Sequence, residues 1–294
     1  MKKILIPISI LTFAVLTIIS CKKDRIEPVE EPLNDYADVN DYMDTKKQAE
    51  QDFLIDGSSS DTITGNQGTK IVSLDSTCLV DASNNPIALP FYVHLVELYT
   101  PKDMIYWQMP TVASGNILET DGEIRIRATK NGQELSTNCP LTFWMPNSAP
   151  DSSMTIFTGA DNGSFVDWTN TAIPFNIISY GYEGSTSNLG WINADIQIGS
   201  GSGNTLSFTS QTDILTNVGI FIYIPSSQTV MQVYNETSGL IPNGTSVKII
   251  MMAIDGGGQL FSYTENRTVN SSANIDMSLT QTTDAALTAH LDGL

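Results

Sequence analysis

Gly122-Glu123-Ile124-Arg125-Ile126-Arg127-Ala128-Thr129-Lys130-Asn131-Gly132-Gln133-Glu134-Leu135-Ser136 is the stretch that decides the fold class. Its first half alternates strictly, which in an extended chain puts Ile124 and Ile126 on one face, turned inward, and Arg125 and Arg127 on the other, in water. Asn-Gly at 131–132 is the dipeptide that a two-residue hairpin turn prefers, because both of its central positions need positive φ. The stretch therefore reads as a strand, a turn at Asn131-Gly132 and a returning strand over 133–136. Asp121-Gly122 reads as the break before it.

The same style extends in both directions. Upstream, Gly68-Thr69-Lys70-Ile71-Val72 opens the first folded block. Tyr92-Val93-His94-Leu95-Val96-Glu97-Leu98-Tyr99 is a strand with apolar groups on both faces, so it should be central and covered on each side. Asp81-Ala82-Ser83-Asn84-Asn85-Pro86 reads as a turn before it, and Leu141 to Met145 closes the block. Downstream, strands are expected at 154–158, 164–168, 175–180, 191–198, 205–208, 218–224, 229–234, 247–254, 260–263 and 275–279. The near-continuous apolar runs 219–224 and 247–254 should form a core, with a short helix over 284–294. No period recurs along the chain, so neither a propeller nor a solenoid is supported. The expected class is all-β: two consecutive β-sandwich-like domains, at 61–148 and 149–294.

Ahead of the strands lies an export signal. Lys2 and Lys3 precede a largely apolar run from Ile4 to Ile19, too short for a free-standing membrane span, and the run ends in Ile18-Ile19-Ser20-Cys21. These residues resemble the lipobox of bacterial lipoproteins, which implies removal of 1–20 and lipidation of Cys21. An ordinary signal peptide cut near Ser20, or an uncleaved anchor, would also export the chain. Each buried methylene of an acyl anchor contributes roughly 0.8 kcal/mol, so a triacylated Cys21 would stay on its membrane. Lys22, where Asp would favour inner-membrane retention in enteric bacteria, points to the outer membrane, on its periplasmic face or at the cell surface. Residues 22–34, rich in Glu and Pro, read as a flexible acidic tether within a 21–60 linker, and 36–53 as a weak helix.

Processing would remove two lysines and no acids, leaving 274 residues with 12 bases against 32 acids, a net charge of −20. Such a surface repels phosphate, which argues against nucleic acid as a partner. Cys78 and Cys139 remain after Cys21. In an exported chain they are either a disulfide or two buried thiols. A zinc site from Cys78, Cys139, His94 and His290 lacks every usual ligand spacing, so no metal or other cofactor is expected.

Several phrases resemble uncharacterised outer-membrane or surface lipoproteins of the Bacteroidetes: Gly68-Thr69-Lys70-Ile71, Val93 to Tyr99, Lys102-Asp103-Met104-Ile105, and Gly122-Glu123-Ile124 before Asn131 to Leu135. The first module is distantly similar to ZU5-type sandwiches. Leu189 to Asp195 and Ile241 to Thr245 look like recurring pieces of a second module in the same proteins. The resemblance implies a lipid-anchored β-rich chain and carries no catalytic residue.

Chemistry is sparse. The two histidines, His94 and His290, stand beside no nucleophile motif, and no hydrolase, metalloprotease or nucleotide fingerprint is present. Among the 32 acids, Glu97, Asp167, Asp195 and Glu236 lie in strand-rich surroundings, yet any pair could be nominated for a glycosidase, so none is assigned as catalytic. Asp161 to Ser164 with Asp167, and Asp81 to Asn85, are the loops nearest to a calcium site in composition, though both read as turns. Asp61-Thr62-Ile63 and Asp75-Ser76-Thr77 match a short O-glycosylation pattern. Of Trp107, Trp144, Trp168 and Trp191, Trp107 is the candidate for stacking on a sugar ring, with Tyr106, because Tyr106-Trp107-Gln108-Met109-Pro110 reads as a loop. The expectation is a non-enzymatic, membrane-anchored envelope protein that binds or scaffolds another envelope component. The alternatives are a carbohydrate-binding accessory protein and a glycan hydrolase.

Overall fold

The computed structural model describes residues 36–57, 62–73, 76–113, 115–161, 166–198, 202–214 and 217–294. Cys21, the tether, the 162–164 part of the calcium-like loop, and Asp61 and Asp75 lie outside them. The described chain is mostly β, arranged in several antiparallel sheets with three short helices.

The largest sheet runs in the order Gln51–Ile55, Phe91–Leu98, Asn116–Lys130, Gly190–Ile198, Thr155–Asp161, Val166–Pro174. A second sheet has the order Asn176–Ile178, Gly181–Thr186, Leu141–Pro146, Lys70–Ser73, Ile63–Thr64. Val93, Leu95, Ile124, Ile126 and Ile192 of the first meet Ile71, Phe143, Met145 and Tyr182 of the second in one buried cluster. The inward alternation of Ile124 and Ile126 is thus observed, and Asn131 and Gly132 take positive φ at the expected hairpin turn.

The hydrogen bonds do not follow the expected division at 148/149. Gly190–Ile198 pairs with Asn116–Lys130, and Gly181–Thr186 pairs with Leu141–Pro146, so both sheets draw strands from either side of it. Alternation says which face of a strand is buried and nothing about which strand lies beside it. A separate set of strands begins only near residue 206. Thr229–Gln232, Val218–Ile224, Thr245–Ile254, Leu260–Val269 and Thr280–Gln281 form a sheet, and Leu206–Thr209 pairs in parallel with Ala273–Asp276. Its core is Phe208, Ile220, Ile222, Ile249 and Met251 with their neighbours.

A third cluster joins the two sets. It contains α1 (Val39–Lys46), α2 (Pro101–Trp107) and α3 (Asp284–Asp292), packed with Trp168 and Trp191 on one side and Phe221, Ile250 and Met252 on the other. Each helix is too short to hold its shape alone and is capped by a side chain: Asp38 accepts from the backbone of Asn40 and Asp41, Thr100 from Asp103 at 3.2 Å, and Thr283 from Ala286 at 3.1 Å. The weak helix expected over 36–53 stops at Lys46, and Phe53 lies instead in the edge strand Gln51–Ile55.

Asp121-Gly122 is a second departure. The chain does not turn there but continues as one strand, Asn116–Lys130, with a shift of register against Gly190–Ile198. Gly122 has φ +126°, and a Cβ on it would collide with the Tyr99 ring. The extra residue rotates the strand, so that Leu118 and Thr120 face the same side as Glu123 and Arg125. Arg125 and Arg127 are half-buried and share Glu50, rather than standing free in water.

Candidate functional site

The sequence-nominated aromatics lie in a helix and not in the expected loop. Tyr106 and Trp107 are in α2, and the chain leaves the helix only at Gln108, which is left-handed at φ 53°. Tyr106 is buried, with its hydroxyl 3.3 Å from that of Thr288 and its ring edge-on to Tyr42. Trp107 is half-buried, perpendicular to Trp191, with the Lys47 ammonium 5.4 Å from its ring centre. The pair anchors α2 against its neighbours. The expected loop is a helix because Thr100 caps it and Pro101 pre-sets its first turn.

The other nominated residues separate. Cys78 and Cys139 are bridged, with Cα atoms 5.4 Å apart. Trp168 and Trp191 are buried, and Trp144 is half-exposed, donating from Nε1 to Glu183 at 2.8 Å. His94 lies between Asp52 (Nδ1 to Oδ1, 2.6 Å) and Thr129 (Nε2 to Oγ1, 2.8 Å), a carboxylate–imidazole–hydroxyl row across three adjacent strands. The row runs across a sheet rather than into a cleft. His290, in the last turn of α3, is held below the ordinary histidine range by burial and by Lys248. Asp81 is committed to its turn, accepting from the backbone of Ser83 and Asn85 at 2.8 and 2.9 Å. Among the described residues, no three Asp, Glu, His or Cys side chains come together as a metal-holding group. No helix among them is long and apolar enough to cross a membrane.

A concave site lies instead where the two sets of strands meet. It is a groove of about 370 Å³ whose floor and walls include Pro110, Val112, Val166 and Met231, with Asp167, Gln232 and Tyr234 bringing polar atoms to it. Val166–Pro174 is the edge strand of the large sheet, and Thr229–Gln232 is the edge strand of the later one. The 110–112 segment is fastened between them. Trp168 Nε1 donates to the Pro110 carbonyl at 2.8 Å, Thr111 N donates to the Val230 carbonyl at 2.8 Å, and Val230 N donates to Thr111 Oγ1 at 2.8 Å. Further along, Thr120 N donates to the Ser227 carbonyl at 3.1 Å and Thr229 Oγ1 to that of Leu118 at 2.6 Å. The groove is therefore built into the junction, with its floor held in place before any ligand arrives.

Tyr234 also lines it, 51% exposed, its hydroxyl donating to Gln232 Oε1 at 3.1 Å and its pKa pushed up to about 12 by desolvation of the phenol. Asp167 is exposed, and its carboxylate has no hydrogen bond or ion pair among the described residues. Sequence reasoning named Asp167 as one acid among many and missed the rest. The groove's residues come from four separated segments, and none carries a local motif. The single available signal was a tyrosine at the end of an apolar strand.

A second unusual feature lies on the same side of the large sheet. Glu123 and Asp195 are fully buried, as are Thr120 and Asn193 beside them. Thr120 gives its hydroxyl proton to Asn193 Oδ1 at 2.8 Å, and Asn193 donates to Glu123 Oε1 at 3.3 Å. Among the described residues, Glu123 Oε2 and both carboxylate oxygens of Asp195 have no hydrogen-bond partner. Burial, then mutual repulsion, holds Glu123 well above the usual carboxylate range, and burial does the same to Asp195.

Comparison of the chain with protein-family models and with curated proteins gives no match.

Proposed function

We propose that this chain is a non-enzymatic, lipid-anchored lipoprotein of the outer membrane, built from two sandwich-like layered modules, which binds or scaffolds another component of the envelope. The junction groove is the observation that carries this reading. It is concave, mainly apolar, fixed in advance by backbone hydrogen bonds across the junction, and bordered by a few polar groups, the usual makeup of a recognition site. The Cys78–Cys139 bridge fits an oxidising compartment outside the cytoplasm. Anchoring rests on the sequence around Cys21.

The test uses the full chain in intact cells. A photo-reactive residue at position 234 should trap a discrete envelope partner, and Cys21→Ser should move the protein from the membrane to the soluble fraction. Robust turnover of a glycan or ester by the purified wild type would overturn the non-enzymatic reading.

Carbohydrate binding is a second reading, supported by a different surface. Trp144 and Tyr180 sit 6.1 Å apart with the Lys70 ammonium 5.5 and 4.4 Å from their ring centres, and Asn176 donates to Glu183 at 3.1 Å beside them. That row could meet a sugar with aromatic and polar groups together. Loss of glycan binding on Trp144→Ala, with no effect of Trp107→Ala, would favour it.

A further inference from the structure

We infer that the junction groove receives an extended basic segment of a partner protein, with a Lys or Arg side chain laid along the apolar floor and its cation between Asp167 and the Tyr234 ring. The inference rests on the groove being the binding site. Three observations select this occupant.

The first is charge. The chain carries 32 acids against 14 bases, and every described Lys and Arg already has an internal partner. Lys46, Lys47, Lys102, Arg125, Arg127 and Arg267 are in ion pairs, Lys130 and Lys248 bond backbone carbonyls, and Lys70 lies over aromatic rings. Among the described residues, no base lines the groove and none compensates Asp167 there. A cation supplied from outside is the complementary ligand, and an anion is repelled.

The second is the mixture of surfaces. Val112, Val166 and Met231 share the groove's lining with the Asp167 carboxylate and the Tyr234 ring. Lys and Arg have that build, an apolar stem with a charged head that gains from an aromatic face. The third is position. The groove runs between two edge strands, Val166–Pro174 and Thr229–Gln232; Thr111 already takes the Val230 backbone of the second, and an extended peptide suits the edge that the first presents.

The experiment is a fluorescence-anisotropy titration of the full chain at physiological ionic strength. The probe is a labelled Val-Lys-Val-Lys-Val peptide, compared with Val-Glu-Val-Glu-Val and with a neutral oligosaccharide. The basic peptide should bind best, with Tyr234→Ala weakening it about tenfold and Asp167→Asn about fivefold. Asp52→Asn removes the same charge from the opposite edge of the large sheet and should change affinity less than about twofold. Equal losses in Asp52→Asn and Asp167→Asn would mean diffuse attraction to an acidic surface and would overturn the inference. Binding of the acidic peptide or the saccharide instead, still sensitive to Tyr234→Ala, would overturn the ligand class and leave the groove as a site. Binding of all three probes unaffected by Tyr234→Ala, or no binding at all, would overturn the inference and the groove together.

Discussion

Glu97 and the pair Glu123 and Asp195 lie in neighbouring strands of one sheet, all fully buried, and they are treated in opposite ways. Glu97 is clasped. Its Oε1 accepts from Thr69 N at 2.7 Å, and its Oε2 accepts from Gln67 N at 2.9 Å and Gln51 Nε2 at 2.8 Å. The loop that delivers these donors comes so close that a Cβ on Gly65 would collide with the carboxylate. Glu123 and Asp195 face the other side of the sheet, toward the helices and the junction, where three of their four oxygens meet no donor among the described residues. A buried acid is thus a fastener or a liability according to what the opposite layer brings to it.

That contrast can be broken at either end. Glu97→Ala should be the most damaging change, leaving one buried and two part-buried donors without an acceptor and costing about 3–5 kcal/mol in urea unfolding. A loss below about 1 kcal/mol would mean that the clasp contributes little. Removing the 61-residue cross-link with Cys78→Ser and Cys139→Ser together should cost about 4 kcal/mol on the chain-entropy account, since it frees the unfolded chain without disturbing either carboxylate site.

Asp195→Asn should move stability the other way, by on the order of 1–3 kcal/mol near neutral pH, because the amide removes an acid whose ionisation the fold opposes and can donate to Glu123. The gain should depend on pH in a fixed sense. The folded-state pKa of Asp195 is raised, so below its unfolded value, near 3.9, the acid is neutral in both states and carries no ionisation penalty. As pH rises above that, the unfolded state releases its proton while the folded state keeps it, and wild-type stability falls until the folded pKa is reached. The advantage of Asp195→Asn should therefore vanish near pH 3 and grow toward neutrality. A pH-independent difference would assign the effect to packing. Tyr234→Ala, in the groove lining, should change stability by less than about 0.5 kcal/mol, which would separate binding from folding there.

Much of this architecture was legible in the chain. Ile124 and Ile126 inward, the Asn131-Gly132 turn, and the apolar runs over 218–224 and 247–254 all follow from period-two patterning and turn chemistry, which act over a few residues. The strand Gly181–Thr186 was missed because its Gly and Thr content mimics a loop. It exists because it is paired on both sides, by Leu141–Pro146 and Asn176–Ile178. Tyr106 and Trp107 read as a loop because a seven-residue helix leaves little periodicity to see.

By itself the sequence determined the β class, the acidic charge and most strand positions. All of these depend on local spacing or on a sum over residues. Only the tertiary structure decided that the sheets cross residue 148, that Cys78 meets Cys139, that Glu97 is satisfied while Asp195 is not, and that edge strands more than fifty residues apart enclose a groove. Partner choice between strands depends on long-range burial, and alternation along one strand carries no record of it.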